Sequence, residues 1–182
     1  MAPNWFIAFP VQVANLRLPP APARVRVFGG ADLHITLGFL GSVQASEALK
    51  AWAGVADYDS LRPVTGSFTG VEPLGNPRKP SALCAIVDSG RVEISEMISD
   101  ARGPALAAAG APEDCRPPLP HMTLARVQRR ATAAERRQAL RWARAIDLRG
   151  LTFTVSEVAL YTWAEDRQER LFKIVERREL GA

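Results

Sequence analysis

The sequence carries one short pattern twice, and that repetition limits the folds open to it. Leu33-His34-Ile35-Thr36-Leu37 and Pro120-His121-Met122-Thr123-Leu124 each place threonine two residues after histidine and leucine directly after threonine. The chain of 182 residues has only these 2 histidines. Side chains two apart on a β-strand leave the same face, so each His–Thr pair shares one side. In the first string Leu33, Ile35, Leu37 and Phe39 alternate on the other side, the mark of a half-buried strand. Met122 and Leu124 do the same in the second. Two such strands, facing each other, gather two imidazoles and two hydroxyls around one small volume. The competing reading, two strand histidines with no role, gives no reason for the pattern to recur at matched strand positions.

The rest of the chain supplies strands and helices around this pair. Residues 4–11 and 24–28 read as strands, with a proline-rich break at Leu18–Pro22 between them. Residues 33–40 form the first motif strand. Gly41-Ser42 ends it, and Ser42 is a candidate cap for a helix over 44–56. Strands are expected at 63–71 and 82–88, paired as a hairpin around a loop at 72–80. Ile94, Met97, Ile98 and Ala101 give a helical stripe over 91–101, which Gly103-Pro104 should kink or restart. The second motif strand is 121–127. Thr132-Ala133-Ala134-Glu135 is a capping box that opens a helix to Ile146, burying Ala139, Leu140, Ala143 and Ile146. Arg137, Arg141 and Arg144 line one flank of it. Residues 151–162 and 170–177 read as the last strands. The order strand–helix–strand–strand thus occurs twice, each time led by a motif strand. Strands grouped with helices on one face point to an α+β fold with antiparallel sheet.

Composition narrows the partners. An apolar fraction of 47% suits a globular protein, and the formal net charge is +4. Lys50, Lys79 and Lys173 are the only lysines, so arginine carries nearly all the positive charge. That favours an anionic partner, since guanidinium pairs bidentately with phosphate. A GC-rich genome that writes arginine for lysine gives the same composition on a solvated surface, and both readings stay open for any single arginine. Cys84 and Cys115 are expected to be two buried, unpaired thiols of a reducing cytoplasm. Pro10, Gln12 and Asn15 interrupt the first apolar run, which is not expected to act as a signal peptide. No apolar stretch approaches a membrane span.

His34-Ile35-Thr36-Leu37-Gly38-Phe39-Leu40-Gly41 and Pro120-His121-Met122-Thr123-Leu124-Ala125-Arg126 resemble the paired H-x-T signatures of the 2H phosphoesterases. Within them the chain is most similar to the bacterial RNA 2′,3′-cyclic phosphodiesterases, also called 2′-5′ RNA ligases. The resemblance covers most of the chain, including the opening Trp5-Phe6-Ile7-Ala8-Phe9-Pro10. It implies one bilobal unit over 1–182, two pseudo-symmetric lobes of antiparallel sheet with helices outside and the active-site cleft between them. It also implies a helix near Leu18–Pro22, which this sequence has shortened or lost. His34 and His121 are then the catalytic residues, with Thr36, Thr123 and Arg126 binding substrate. The partners are RNA with 2′,3′-cyclic phosphate ends or cyclic nucleotides. The protein is expected to be a cytoplasmic monomer that needs no cofactor, no metal and no membrane.

The residue types suit that chemistry. Opening a cyclic phosphate needs a proton removed from water, a proton given to the leaving ribose oxygen, and donors for the charge that develops. Histidine can do either proton transfer because its ordinary pKa is about 6.5. Threonine hydroxyls can donate to the non-bridging oxygens. Arg126 leaves two readings. The resemblance makes it a phosphate contact, yet strict alternation from His121 sends it to the opposite face, as a surface ion pair, unless a bulge follows Leu124. Phe39 takes the matching place in the first copy, and its parity puts it in the core. Tyr161 and Trp163 are candidates for stacking a nucleobase, against ordinary strand packing. The Arg137–Arg144 flank either tracks an RNA backbone or is a solvated face. Two rival functions remain: a non-catalytic binder of RNA ends or nucleotides, and a phosphodiesterase of another small cyclic phosphate.

Overall fold

The computed structural model describes residues 3–55, 58, 61–76 and 79–181. Among these residues, ten strands and three helices follow the expected order closely. They are β1 (Trp5–Pro10), β2 (Gln12–Val13), β3 (Val25–Val27), β4 (His34–Gly41), α1 (Ala45–Gly54), β5 (Val64–Leu74), β6 (Ala82–Val87), α2 (Arg91–Ala108), β7 (His121–Val127), α3 (Ala133–Arg144), β8 (Thr152–Val155), β9 (Glu157–Trp163) and β10 (Phe172–Glu179). A 3-10 turn at Gly30–Asp32 leads into β4. No helix forms between β2 and β3. Ala56, the expected end of the first helix, and Pro77 and Arg78 of the expected loop lie outside the described residues.

The strands make a curled antiparallel sheet, giving the α+β class expected. Its order is β10-β9-β1-β4-β7-β6-β5-β8-β2, with β3 also paired to β7. The two motif strands are therefore neighbours at the centre, each flanked by further strands of its own half. The halves do not coincide with the two sequence copies. The β5–β6 hairpin follows the first motif but pairs with the second motif strand, β7. The β9–β10 hairpin follows the second motif but joins the first half through β1. The expected strand 151–162 breaks at Ser156, so β8 pairs with β5 in one half and β9 with β1 in the other. Their partners β2 and β1 cross in the same way. This exchange ties the two halves together through backbone hydrogen bonds.

One large core lies between the sheet and the helices. Trp5, Ile7 and Phe9 of β1, Ile35 and Leu37 of β4, and Met122 and Leu124 of β7 all point into it. α2 packs on β4, α1 on α2, and α3 on β5. On the open side of the sheet Phe6, Ala8, Ala159 and Tyr161 form a second small cluster, and Ala82, Cys84 and Ile86 a third. The central strands are thus buried on both faces, which explains their near-continuous apolar sequences.

Three boundaries differ from expectation for stated reasons. β5 runs on to Leu74, through Pro73, where the turn residues predict a loop. β8 pairs only with residues 64–67, so at Pro73 one edge of β5 is open and the missing N–H breaks no bond there. α2 continues through Gly103-Pro104 to Ala108 instead of restarting. Ala105 and Leu106 extend the buried stripe past the proline, and this packing outweighs a propensity cost of about 3 kcal/mol. The cap of α1 is Gln44, not Ser42: the Gln44 N–H donates to Glu47 Oε2 at 2.8 Å in a capping box. The capping box at Thr132 and Glu135 forms as expected, and Trp142 joins Ala139 and Ala143 in the buried face of α3.

Candidate active site

The site is built on the seam between β4 and β7. The strands share one bridge, Ile35 to Met122, and both of these side chains are fully buried in the core. Alternation then turns His34, Thr36, His121 and Thr123 to the open side. Counting antiparallel from that bridge sets His34 toward Thr123 and Thr36 toward His121. All four line one cleft of about 640 Å³. The juxtaposition inferred from the paired motifs is therefore what the fold produces.

Each strand carries a bulge at the leucine after its threonine. On β4, Ala8 pairs with Thr36 and Ile7 with Gly38, leaving Leu37 extra. On β7, Cys84 pairs with Thr123 and Leu83 with Ala125, leaving Leu124 extra. An extra residue reverses the alternation beyond it. Arg126 consequently joins the histidines in the cleft, which strict alternation forbids. Phe39 does the same, against the expectation that it packs in the core: it is 57% exposed and lines the cleft mouth.

Both imidazoles are held by the same device. His34 Nδ1 donates to the carbonyl of Asp32 at 2.7 Å, and His121 Nδ1 to the carbonyl of Leu119 at 2.6 Å. A carbonyl can only accept, so in the neutral ring Nδ1 carries the proton and Nε2 keeps its lone pair. The surroundings differ. His34 is buried among Phe6, Tyr161 and Phe172, with ring centroids 4.8, 5.4 and 5.4 Å away. Burial pushes its pKa down to about 4, against a smaller upward pull from the Asp32 hydrogen bond and charge. His121 is half-buried. Desolvation lowers its pKa as well, and the Arg126 charge lowers it further, opposed by the Leu119 hydrogen bond.

Asp32 is a site residue that the sequence reading missed. Its buried carboxylate accepts the N–H groups of Leu171 and Phe172 at 3.0–3.1 Å, fixing the start of β10. One residue thus orients His34 through its carbonyl and holds the Phe172 ring against His34 through its side chain. Its only sequence signal is an acidic residue two places before the motif histidine. Cys84 is buried beside the site, with Sγ 3.5 Å from Thr123 Oγ1, and burial raises its thiol pKa. Cys115, expected to be buried, is exposed in the irregular stretch before β7. Neither thiol is in a disulfide.

The remaining candidates sort clearly. Tyr161 is buried beneath Phe6 and presents no free face for a base. Trp163 lines the cleft, but the Arg167 guanidinium lies over its ring, 4.5 Å from the centroid. Arg137, Arg141 and Arg144 are exposed on α3, outside the cleft lining. Among the described residues no group of three or more His, Cys, Asp or Glu side chains converges to hold a metal. Among those residues, too, no helix is long and apolar enough to cross a membrane.

Comparison with known proteins agrees with this architecture. LigT of E. coli, solved in complex with 3′-AMP, superposes with a TM-score of 0.67 at 20% identity, covering 100% of both chains. TT0787 of Thermus thermophilus gives 0.65 at 20% identity over 97% of each chain. Usb1 of Kluyveromyces marxianus gives 0.56 at 13% identity over 98% of each. At these identities the likeness is one of fold. No curated protein sequence matches the chain. The profile of the 2′-5′ RNA ligase superfamily matches residues 10–167, which include both H-x-T strands. The chain belongs to the 2′-5′ RNA ligase superfamily, the 2H phosphoesterases.

Proposed function

We propose that this protein hydrolyses RNA 2′,3′-cyclic phosphate ends to a 2′-phosphomonoester by metal-independent acid–base catalysis. The observation that carries the reading is the pair of imidazoles in one cleft, each with Nδ1 fixed by a carbonyl and Nε2 left for the reaction. One neutral imidazole takes a proton from water as its oxygen bonds to phosphorus. The bond from phosphorus to O3′ breaks. The other imidazole, protonated, gives its proton to that oxygen. The products are a 2′-phosphate and a 3′-hydroxyl. The Thr36 and Thr123 hydroxyls and the Arg126 guanidinium donate to the non-bridging oxygens, where preorganised donors contribute about 3 kcal/mol each. Phe39 supplies an exposed face for the terminal base. By microscopic reversibility the same groups join a cyclic phosphate end to a 5′-hydroxyl through a 2′-5′ bond, a minor activity wherever water competes. Every group invoked comes from one chain, so a monomer suffices for this reaction.

The test is incubation with a nucleoside 2′,3′-cyclic phosphate in EDTA, the product identified by phosphorus NMR. Turnover is expected, and His34→Ala or His121→Ala should each lose it by about 10²–10⁴-fold with the fold intact. Binding without turnover would instead make the protein a reader of RNA ends. Turnover of other small cyclic phosphates alone would move the substrate away from RNA.

A further inference from the structure

The cleft holds more positive charge than a cyclic phosphate uses. Arg26, Arg126, Arg129 and Arg167 all line it, and among the described residues no carboxylate does. Among the described residues none of the four is in an ion pair. A 2′,3′-cyclic phosphate is a monoanion, and Arg126 already stands on the histidine strand to meet it.

Two features place the surplus charge. Arg26 is the direct cross-strand partner of Arg126 in the β3–β7 pairing. Like charges in that relation weaken a sheet unless an anion lies with them. Arg26 Nη2 also donates to the backbone carbonyl of Arg167, which holds the loop between β9 and β10 over the cleft. Arg167 in turn lies on Trp163, and its Nε is buried with no hydrogen-bond partner. Its burial closes Nε to a ligand, but Arg167 still lines the cleft, and its remaining guanidinium N–H groups are the donors an arriving oxyanion would meet. Stacking on the indole fixes the plane of the guanidinium, so its donors are aimed before a ligand arrives. Arg26 thus links Arg126, its partner across β3 and β7, to the loop that carries Arg167.

We propose that Arg26 and Arg167, backed by Trp163, form a second anion subsite that takes the 5′-phosphoryl group of the terminal nucleotide. The inference rests on the cyclic-phosphate reading above and deepens it. The preferred substrate is a terminal nucleotide that carries a 5′-phosphate, as every residue at the 3′ end of an RNA chain does. A nucleoside 2′,3′-cyclic phosphate fills only half the cleft.

Three substrates test it: adenosine 2′,3′-cyclic phosphate, its 5′-phosphorylated form, and a dinucleotide ending in adenosine 2′,3′-cyclic phosphate. The two that carry a 5′-phosphoryl group should each exceed the first by about tenfold in kcat/KM. In Arg167→Gln and, separately, Arg26→Gln the ratio should fall toward unity, with Arg167→Lys keeping part of it. Equal kcat/KM for all three overturns the subsite and leaves the cyclic-phosphate reading standing. A gain for the dinucleotide alone also overturns it, because the second nucleoside would then be the group recognised. Calorimetric binding of adenosine 2′,5′-bisphosphate against adenosine 2′-monophosphate reads the subsite without turnover. If no substrate is hydrolysed, a bisphosphate preference lost in Arg167→Gln upholds the subsite while the catalytic reading fails, and no preference overturns both.

Discussion

Phe39 and Arg126 occupy equivalent places in the two halves of the site, each five residues after its histidine and each turned into the cleft by a bulge at a leucine. One half presents an aromatic face and the other a guanidinium. That asymmetry suits a ligand with a base on one side and a phosphate on the other. Phe39→Ala removes an exposed side chain, so stability should change by no more than about 0.5 kcal/mol. Base stacking on an aromatic ring is worth roughly 1–3 kcal/mol, so KM should rise by about tenfold or more. Arg126→Gln should instead lower kcat by about a hundredfold. Steady-state kinetics on a nucleoside 2′,3′-cyclic phosphate separates the two, and an unchanged KM in Phe39→Ala would place the base elsewhere.

The buried histidine couples stability to pH. His34 has its pKa depressed from 6.5 to about 4 in the folded chain. Between those values the unfolded chain binds a proton that the folded chain refuses. Stability is therefore full above the unfolded pKa and falls as pH drops through that window, by up to about 3 kcal/mol from this group. His121 adds a contribution of the same sign. Urea unfolding at pH 7 and pH 4.5 should show a loss that is smaller in His34→Gln than in wild type. An equal loss in both would mean that the ring is not held neutral by the fold.

The carboxylate of Asp32 should matter to catalysis without touching substrate. Asp32→Ala strands the N–H groups of Leu171 and Phe172 in a buried place, at about 1–3 kcal/mol for each donor left unmet. Asp32→Asn keeps an acceptor and should be milder. Asp32→Asn also removes the charge that pulls the His34 pKa upward, so that ring should titrate lower still. The check is an NMR titration of the two imidazoles in Asp32→Asn: His34 should shift downward and His121 should not. A His34 titration unchanged in Asp32→Asn refutes the coupling.

The two imidazoles can be told apart by leaving group. A 4-nitrophenyl phosphodiester leaves without a proton, so loss of the general acid costs little on it, while loss of the base still costs about 10²–10⁴-fold. One of His34→Ala and His121→Ala, not both, should recover activity on such a substrate. Equal defects on both substrates would argue that neither residue protonates the leaving group.

Backbone packing makes its own prediction at Gly66. It pairs with Phe153 across β5 and β8. A Cβ there would lie 2.5 Å from the Ser89 carbonyl oxygen and 2.6 Å from Phe153 Cζ, whereas one at Gly70 would meet nothing within 4 Å. Gly66→Ala should destabilise by about 1–3 kcal/mol, and Gly70→Ala should be near neutral. Thermal unfolding of the two variants compares them directly.

Much of the molecule is legible in its linear pattern. The strands at β1, β4, β6 and β7, the capping box at Thr132 and the helical stripe from Ile94 to Ala101 rest on local signals, and each forms. Phe39 is misplaced by parity counting, and Arg126 is left open by it, for one reason. Such counting assumes an unbroken ladder, and the bulges at Leu37 and Leu124 are properties of a strand together with its partner. Pro104 misleads because local propensity says nothing of the buried faces of Ala105 and Leu106 that carry α2 past it. Asp32 escapes notice because its partners, Leu171 and Phe172, stand 139 and 140 positions away along the chain.

The sequence by itself determined that two His–Thr strands exist, which face of each is polar, and that the fold is α+β with antiparallel sheet. These follow from periods of two and of 3.6 residues, which any local stretch displays. Only the tertiary structure decided that β4 and β7 are neighbours, that the hairpins exchange between halves, and that the arginines of β3, β7 and the β9–β10 loop share one cleft. Those outcomes depend on hydrogen-bond register and on contacts between residues far apart in the chain, and no local periodicity encodes them.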